Sequence, residues 1–319
     1  MSTTATSPGQ VGDATDLTAY GIDSLWLDRA PRPRTILIAY PHPDDESFGN
    51  GGTIARYVAE GVAVHYACAT RGECGTVAPE LLDGHADVAA LRTAEQACAA
   101  RALGLAAVHF LGHRDSGMPG TPDNRHPNAL VQAPLDQVAG QLAALIRAVR
   151  PQVVLTFNPY GGYGHPDHIY LHYATRAAFA AAADPERYAA QIAAGLTPWR
   201  PSRLYYPTFG TRFAQAAIGT LRLLGRDPRR FGRNGDIDAV RVLEETTPIT
   251  TTIDCADYLE PNLRARLCHR SQLGGSWPYE HMPRPLLRRM FAAEHFTRAI
   301  PAWDGRAECE RDLFEGSGS

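Results

Sequence analysis

The chain has 319 residues and is 44% hydrophobic, enough for one large folded domain or two modest ones. A net charge of −3 gives no electrostatic case for nucleic acid or an anionic membrane surface. No run approaches the roughly 18 apolar residues that a membrane span needs.

Met1 to about Asp16 is rich in Ser, Thr, Gly and Ala. It lacks the basic start and apolar stretch of a signal peptide. Residues 1–33 therefore read as a flexible leader, and 311–319, ending Gly316-Ser317-Gly318-Ser319, as a flexible tail. Six cysteines without a C-x-x-C pair read as reduced, buried thiols and a cytoplasmic location.

From residue 34 to about 182 the pattern alternates strand and helix. The first strand is predicted at 35–40, Thr-Ile-Leu-Ile-Ala-Tyr. A helix over about 48–60 follows, with Gly61 as its stop. The second strand is Val62 to Ala69, and a long loop with Glu73, Gly75 and Pro79 leads to a helix near 86–103. The third strand is Ala107 to Leu111, followed by a polar loop over 112–133. Pro134 opens a helix that buries Leu135, Val138, Leu142, Leu145, Ile146 and Val149. Pro151 ends it, and the fourth strand is 152–157. After residue 183 the pattern weakens. Strands are predicted at 203–206 and 248–253, helices at about 257–270 and 284–299, and a loop at 225–238.

Alternating apolar strands and helices predict an α/β fold with a doubly wound, mainly parallel Rossmann-like sheet and helices on both faces. In the 3-2-1-4-5 order the first and fourth strands are neighbours. The crevice beyond their carboxyl ends is the topological switch point where such sheets bind ligands.

Polar chemistry begins where those two strands stop. The first runs into Pro41-His42-Pro43-Asp44-Asp45-Glu46, and the fourth into Gly161-Gly162-Tyr163-Gly164-His165-Pro166-Asp167-His168. Imidazoles and carboxylates so grouped form the ligand set of a divalent metal. His42 and Asp45 supply two ligands, and His165 or His168 a third. Asp44 is the adjacent carboxylate able to take a proton from water. Two His and one carboxylate suit catalytic zinc, and also non-haem Fe(II). An Fe(II) oxygenase is disfavoured by the predicted strand topology.

Plainer readings compete. His42 and Asp45 could cap a helix. Gly49-Asn50-Gly51-Gly52 is not G-x-G-x-x-G, and the acidic cluster before it would repel a pyrophosphate. His65, His85, His109, His172 and His295 read as core or surface residues, and Cys68 and Cys74 as packing.

Over residues 34–182 the chain resembles the LmbE/PIG-L family of metal-dependent N-deacetylases. The resemblance rests on Pro41 to Ser47, Gly72-Glu73, Arg92, Arg114-Asp115-Ser116-Gly117-Met118 and Gly161 to His168. It implies a single α/β deacetylase domain over 34–310, with a core to about 182 and an extension over about 183–310. It implies Zn2+, with Fe2+ as an alternative, on His42, Asp45 and His168. It makes Asp44 the general base. His165 and Tyr163 become the groups that stabilise the oxyanion and protonate the leaving amine, and Asp167 orients His165. Arg92 and Asp115 match positions that hold sugar hydroxyls. The implied substrate is an N-acetylglucosamine-type amino sugar, with neither nucleic acid nor membrane as partner and homo-oligomerisation left open. Alternatives are an amidase of a thiol conjugate, a deacetylase in antibiotic maturation, or a non-catalytic metal- or sugar-binding module. Two departures stand out. Pro41 replaces a common Ala, and Glu73 is followed by Cys74-Gly75 instead of a second acidic residue.

Overall fold

Thr35–Tyr40 is buried along its whole length. Strand alternation sends Ile36, Ile38 and Tyr40 into one hydrophobic core and Leu37 and Ala39 into a second. A strand apolar on both faces must sit inside a sheet covered on both sides. The computed structural model describes residues 16–232, 234–273, 281–305 and 309–315, and there the expected architecture is found.

The strands are β1 (Asp23–Trp26), β2 (Thr35–Tyr40), β3 (Ala63–Cys68), β4 (Ala107–Phe110), β5 (Val153–Leu155), β6 (Arg203–Thr208), β7 (Thr251–Asp254) and β8 (Ala293–Ile300). They form one sheet in the order β1-β4-β3-β2-β5-β6-β8-β7. The five central strands from β4 to β6 are parallel, in the 3-2-1-4-5 order expected from the sequence. β1 adds antiparallel to one edge, and β8 and β7 to the other.

The helices of the first half are α1 (Asp45–Ala59), α2 (Val88–Leu103), α3 (Leu135–Val149), α4 (Gly161–Gly164) and α5 (Pro166–Ala181). Those of the second half are α6 (Ala189–Ala193), α7 (Thr211–Leu223), α8 (Ala239–Glu244), α9 (Leu259–Cys268) and α10 (Arg284–Met290). α1, α2 and α9 contribute Ile54, Tyr57, Leu103 and Ala265 to the core on one face. α3 and α5 contribute Leu142, Ile146, Leu171 and Ala178 to the other. The glycine-rich stretch in α1 serves packing. Asn50 leaves the helical conformation, and the Gly52 and Thr53 N–H groups each donate to the Glu294 carboxylate of β8 at 2.9 Å.

Four expectations are corrected. Residues 284–299 are not one helix: α10 stops at Met290 and β8 pairs with both β6 and β7, burying Phe296. The 1–33 leader is ordered where β1 pairs with the exposed edge of β4 and where Leu17 and Ile22 are buried. In the 311–319 tail, Leu313 and Phe314 join the core, and the Tyr57 hydroxyl donates to Asp312 at 2.8 Å. Cys98 and Cys268 are not free thiols: α2 and α9 lie side by side and a disulfide joins them across 170 residues of sequence. Cys68 and Cys255 are buried thiols as expected. The leader's first 15 residues and the tail's Gly316–Ser319 lie outside the described residues.

Candidate active site

The two motifs meet because β2 and β5 are paired neighbours, with Ile36 opposite Val153 and Ile38 opposite Leu155. Past β2, Asp44 adopts φ 113°, a left-handed backbone that a side chain-bearing residue rarely takes. The turn lets the His42 N–H donate to Asp45 Oδ2 at 2.9 Å and directs Asp44 and Asp45 to the same crevice. Past β5, Pro166 opens α5, a favoured first-turn position, and His168 stands in that turn. Gly161, at φ 69°, allows the approach: a Cβ there would lie 2.7 Å from the His168 Cβ.

His42 Nδ1 lies 3.2 Å from His168 Nε2. Asp45 Oδ2 lies 3.6 Å from the first nitrogen, and Asp45 Oδ1 lies 3.5 Å from the second. Donors held about 2.0–2.2 Å from a tetrahedral zinc ion stand about 3.3–3.6 Å apart. His42 Nε2 faces Asp167 Oδ2 at 3.1 Å and Asp115 Oδ1 at 3.5 Å. Its proton belongs there, so Nδ1 presents a lone pair to the His168 nitrogen. Two nitrogens and a carboxylate so converged fit a divalent cation. Burial works against a charged His42, but Asp115, Asp167 and Asp45 outweigh it and raise the imidazole well above its ordinary range. The same field favours a bound cation. Of His165 and His168, both left open by spacing, His168 is the one beside Asp45.

Asp167 does not orient His165 through its carboxylate. Oδ2 accepts from the Ser116 N–H at 2.9 Å and meets His42, while the Asp167 backbone N–H donates to His165 Nδ1 at 3.1 Å. The His165 proton is therefore on Nε2, which points toward Asp115 Oδ1, 3.9 Å away. Burial and the neighbouring His42 lower His165 to about 4, so the ring is neutral at pH 7. Tyr163 brings its hydroxyl within 3.4 Å of His168 Nε2, and burial raises its pKa, which keeps the phenol protonated.

Asp44 lies beside this group. Burial pushes its carboxyl up to about 6, against the pull of Arg92 at 3.0 Å. The Arg92 guanidinium is engaged by Asp44 and by the Gly72 and Pro43 carbonyls. It also lines the cleft, and its Nε–H has no hydrogen-bond partner among the described residues. A Cβ on Gly72 would collide with it at 2.0 Å, which accounts for glycine there. Asp115, despite its burial, is held well below the usual carboxylate range by His42 and His165. It accepts from the Gly117 and Cys74 N–H groups at 2.8 and 3.3 Å and borders the cleft. All nine candidate residues thus share one neighbourhood. The cleft holds about 280 Å³.

Residues 37–179 match the family described as "PIG-L: GlcNAc-PI de-N-acetylase". A Streptomyces avermitilis protein named 1D-myo-inositol 2-acetamido-2-deoxy-alpha-D-glucopyranoside deacetylase is 36% identical over 292 residues. The match covers 89% of this chain and 97% of that protein. The chain belongs to the PIG-L family. A protein of the same name from Acidothermus cellulolyticus is 38% identical, over 89% of this chain and 95% of its own. The N,N'-diacetylchitobiose deacetylase from Pyrococcus horikoshii shares the fold, with TM-score 0.56, 24% identity and 83% of each chain covered.

Several site residues escape sequence reasoning. Asn234, Asp236 and Gln272 border the cleft from beyond the segment that matches the PIG-L family. Glu73, read only as part of a motif, accepts the Asp115 N–H at 2.9 Å. His269 faces Glu46 in the interior at 3.4 Å. No local spacing marks Asn234, Asp236, Gln272 or His269; only the tertiary contact does.

Proposed function

We propose that the protein is a zinc-dependent N-deacetylase acting on N-acetylglucosamine joined to inositol, releasing acetate and the free amine. One observation carries the hydrolytic reading: His42, Asp45 and His168 donors converge within 3.2–3.6 Å beside Asp44. The substrate is supported by the two relatives named for that deacetylation, each matching 89% of this chain.

Zinc on these residues would supply a Lewis acid for the amide oxygen and the attacking water, chemistry that Fe(II) can share. Asp44 takes a proton from that water as the new C–O bond forms. A carboxyl near 6 suits a base working around neutrality. The Tyr163 hydroxyl and His165 Nε2–H donate to oxygen as negative charge gathers there, where a fixed donor counts most. When the C–N bond breaks, the proton held by Asp44 is available to the departing nitrogen. Neutral His165 acts as a donor of a hydrogen bond, not as a store of an extra proton. Asp115 is set to accept from a sugar hydroxyl, and Arg92 holds Asp44.

The test uses metal-stripped protein reloaded with Zn2+ or Fe2+ and an assay for primary amine. The inositol conjugate should be cleaved faster than N-acetylglucosamine or a simple acetamide. Alanine at Asp45 or His168 should remove metal and activity together. Metal retention without amine release from any amide would establish a binding module instead. Cleavage confined to a thiol-conjugate amide would establish the amidase.

A further inference from the structure

We propose that His269 is a positioning residue for Asp44, acting through Glu46. The inference rests on the assignment of Asp44 as the base. Asp44 sits at φ 113°, a strained conformation that persists only where neighbours hold it. Its backbone N–H is directed at two side-chain oxygens, Glu46 Oε2 and Gln96 Oε1, each at 3.3 Å. Glu46 is wholly buried, and a buried carboxylate needs partners that fix it. Its other oxygen receives the Ser47 hydroxyl at 2.7 Å and faces His269 Nε2 at 3.4 Å.

His269 is also wholly buried, and its Nδ1 has no hydrogen-bond partner among the described residues. The polar contact of the ring is therefore with Glu46. Its position is fixed from both flanks. Arg266 donates to the Phe48 carbonyl at 2.8 Å, and Cys268 is bonded to Cys98 on α2. Beyond His269, the Ser271 N–H and hydroxyl donate to the Glu95 carboxylate at 2.8 and 2.6 Å. The segment is thus pinned to α1 and α2, the two helices that carry Asp45 and Arg92. A ring held by these anchors fixes Glu46, and Glu46 fixes the peptide of Asp44. The brace comes from outside residues 37–179, so the base is positioned by a part of the chain beyond the matched family segment.

The test compares His269→Ala, His269→Gln and the wild type in the metal-loaded, full-length protein. Steady-state kinetics are run on an N-acetylglucosamine conjugate, and hydrogen–deuterium exchange is followed across the peptide 41–47. His269→Ala should lower kcat about 10- to 100-fold with KM and metal content unchanged, and exchange in 41–47 should quicken. His269→Gln, which restores an N–H donor toward Glu46, should recover most of both. Should His269→Ala not fold, His269→Phe keeps a ring without the donor and should show the same losses. Wild-type kcat and protection in the variant that folds would overturn the proposal. So would equal losses in His269→Gln and the donor-less variant that track melting temperature. If the wild type cleaves no acetamide, the functional reading fails, and the exchange comparison alone decides the role of His269.

Discussion

The Asp167 carboxylate lies 3.1 Å from His42 Nε2, although 125 residues separate the two in sequence. This contact sets the His42 tautomer, and with it the lone pair offered to a metal. Asp167→Asn keeps the size but weakens the pull on the proton. Metal affinity should fall about 10- to 100-fold, the usual cost of losing such a support. Competition against a chromophoric chelator measures it. Unchanged affinity would show that the carboxylate does not tune His42.

Asp44→Asn should separate metal binding from chemistry. The amide cannot accept the proton, yet it can still meet Arg92, which lies 3.0 Å from the native carboxylate. Metal content by elemental analysis should match the wild type, while kcat falls roughly 100- to 10,000-fold. A near wild-type rate would remove Asp44 from the role of base.

Tyr163→Phe should act on turnover. The lost hydroxyl is the group within 3.4 Å of His168 Nε2, at the edge of the donor cluster. A donor to developing charge is worth about 100- to 1,000-fold in kcat, with little change in KM. A rise in KM alone would assign the hydroxyl to ground-state binding.

The candidate cluster was legible because most of its residues are local to strand ends. Residues 41–46 after β2 and 161–168 beyond β5 hold seven of the nine candidates, and the parallel pairing of β2 with β5 follows from their apolar runs. What stayed hidden depends on contacts distant in sequence. Residues 293–300 pass for helix until β6 and β7 are present to pair with them. Leu313 and Phe314 look like a tail because nothing nearby shows the core they fill. Arg92 was recognisable by resemblance, but its pairing with Asp44, 48 residues away, was not.

The Cys98–Cys268 bridge should contribute to stability, since it closes a loop of 170 residues. Cys98→Ser should cost about 2–5 kcal/mol, read as a lower denaturation midpoint. A reductant should lower the wild-type midpoint and leave the variant where it is. A non-reduced digest without the linked 98–268 peptide would exclude the bridge.

A buried histidine pair predicts how stability depends on pH. His65 Nδ1 meets His109 Nε2 at 3.1 Å, and Ser24 meets the other His109 nitrogen at 2.8 Å. Burial lowers His65 to about 4, and burial with the neighbouring His65 lowers His109 well below its ordinary value. Both rings are neutral in the fold, whereas the unfolded chain takes up protons below about 6.5. Between those values the unfolded state binds more protons, so stability rises with pH there and is lost on acidification from 6.5 toward 4. The His65 gap alone is worth about 3 kcal/mol once fully expressed. His65→Gln keeps a polar contact but cannot titrate. Its melting temperature should start slightly below wild type at pH 7 and fall less steeply toward pH 4. Parallel curves for the two proteins would show that His65 is not held neutral by burial.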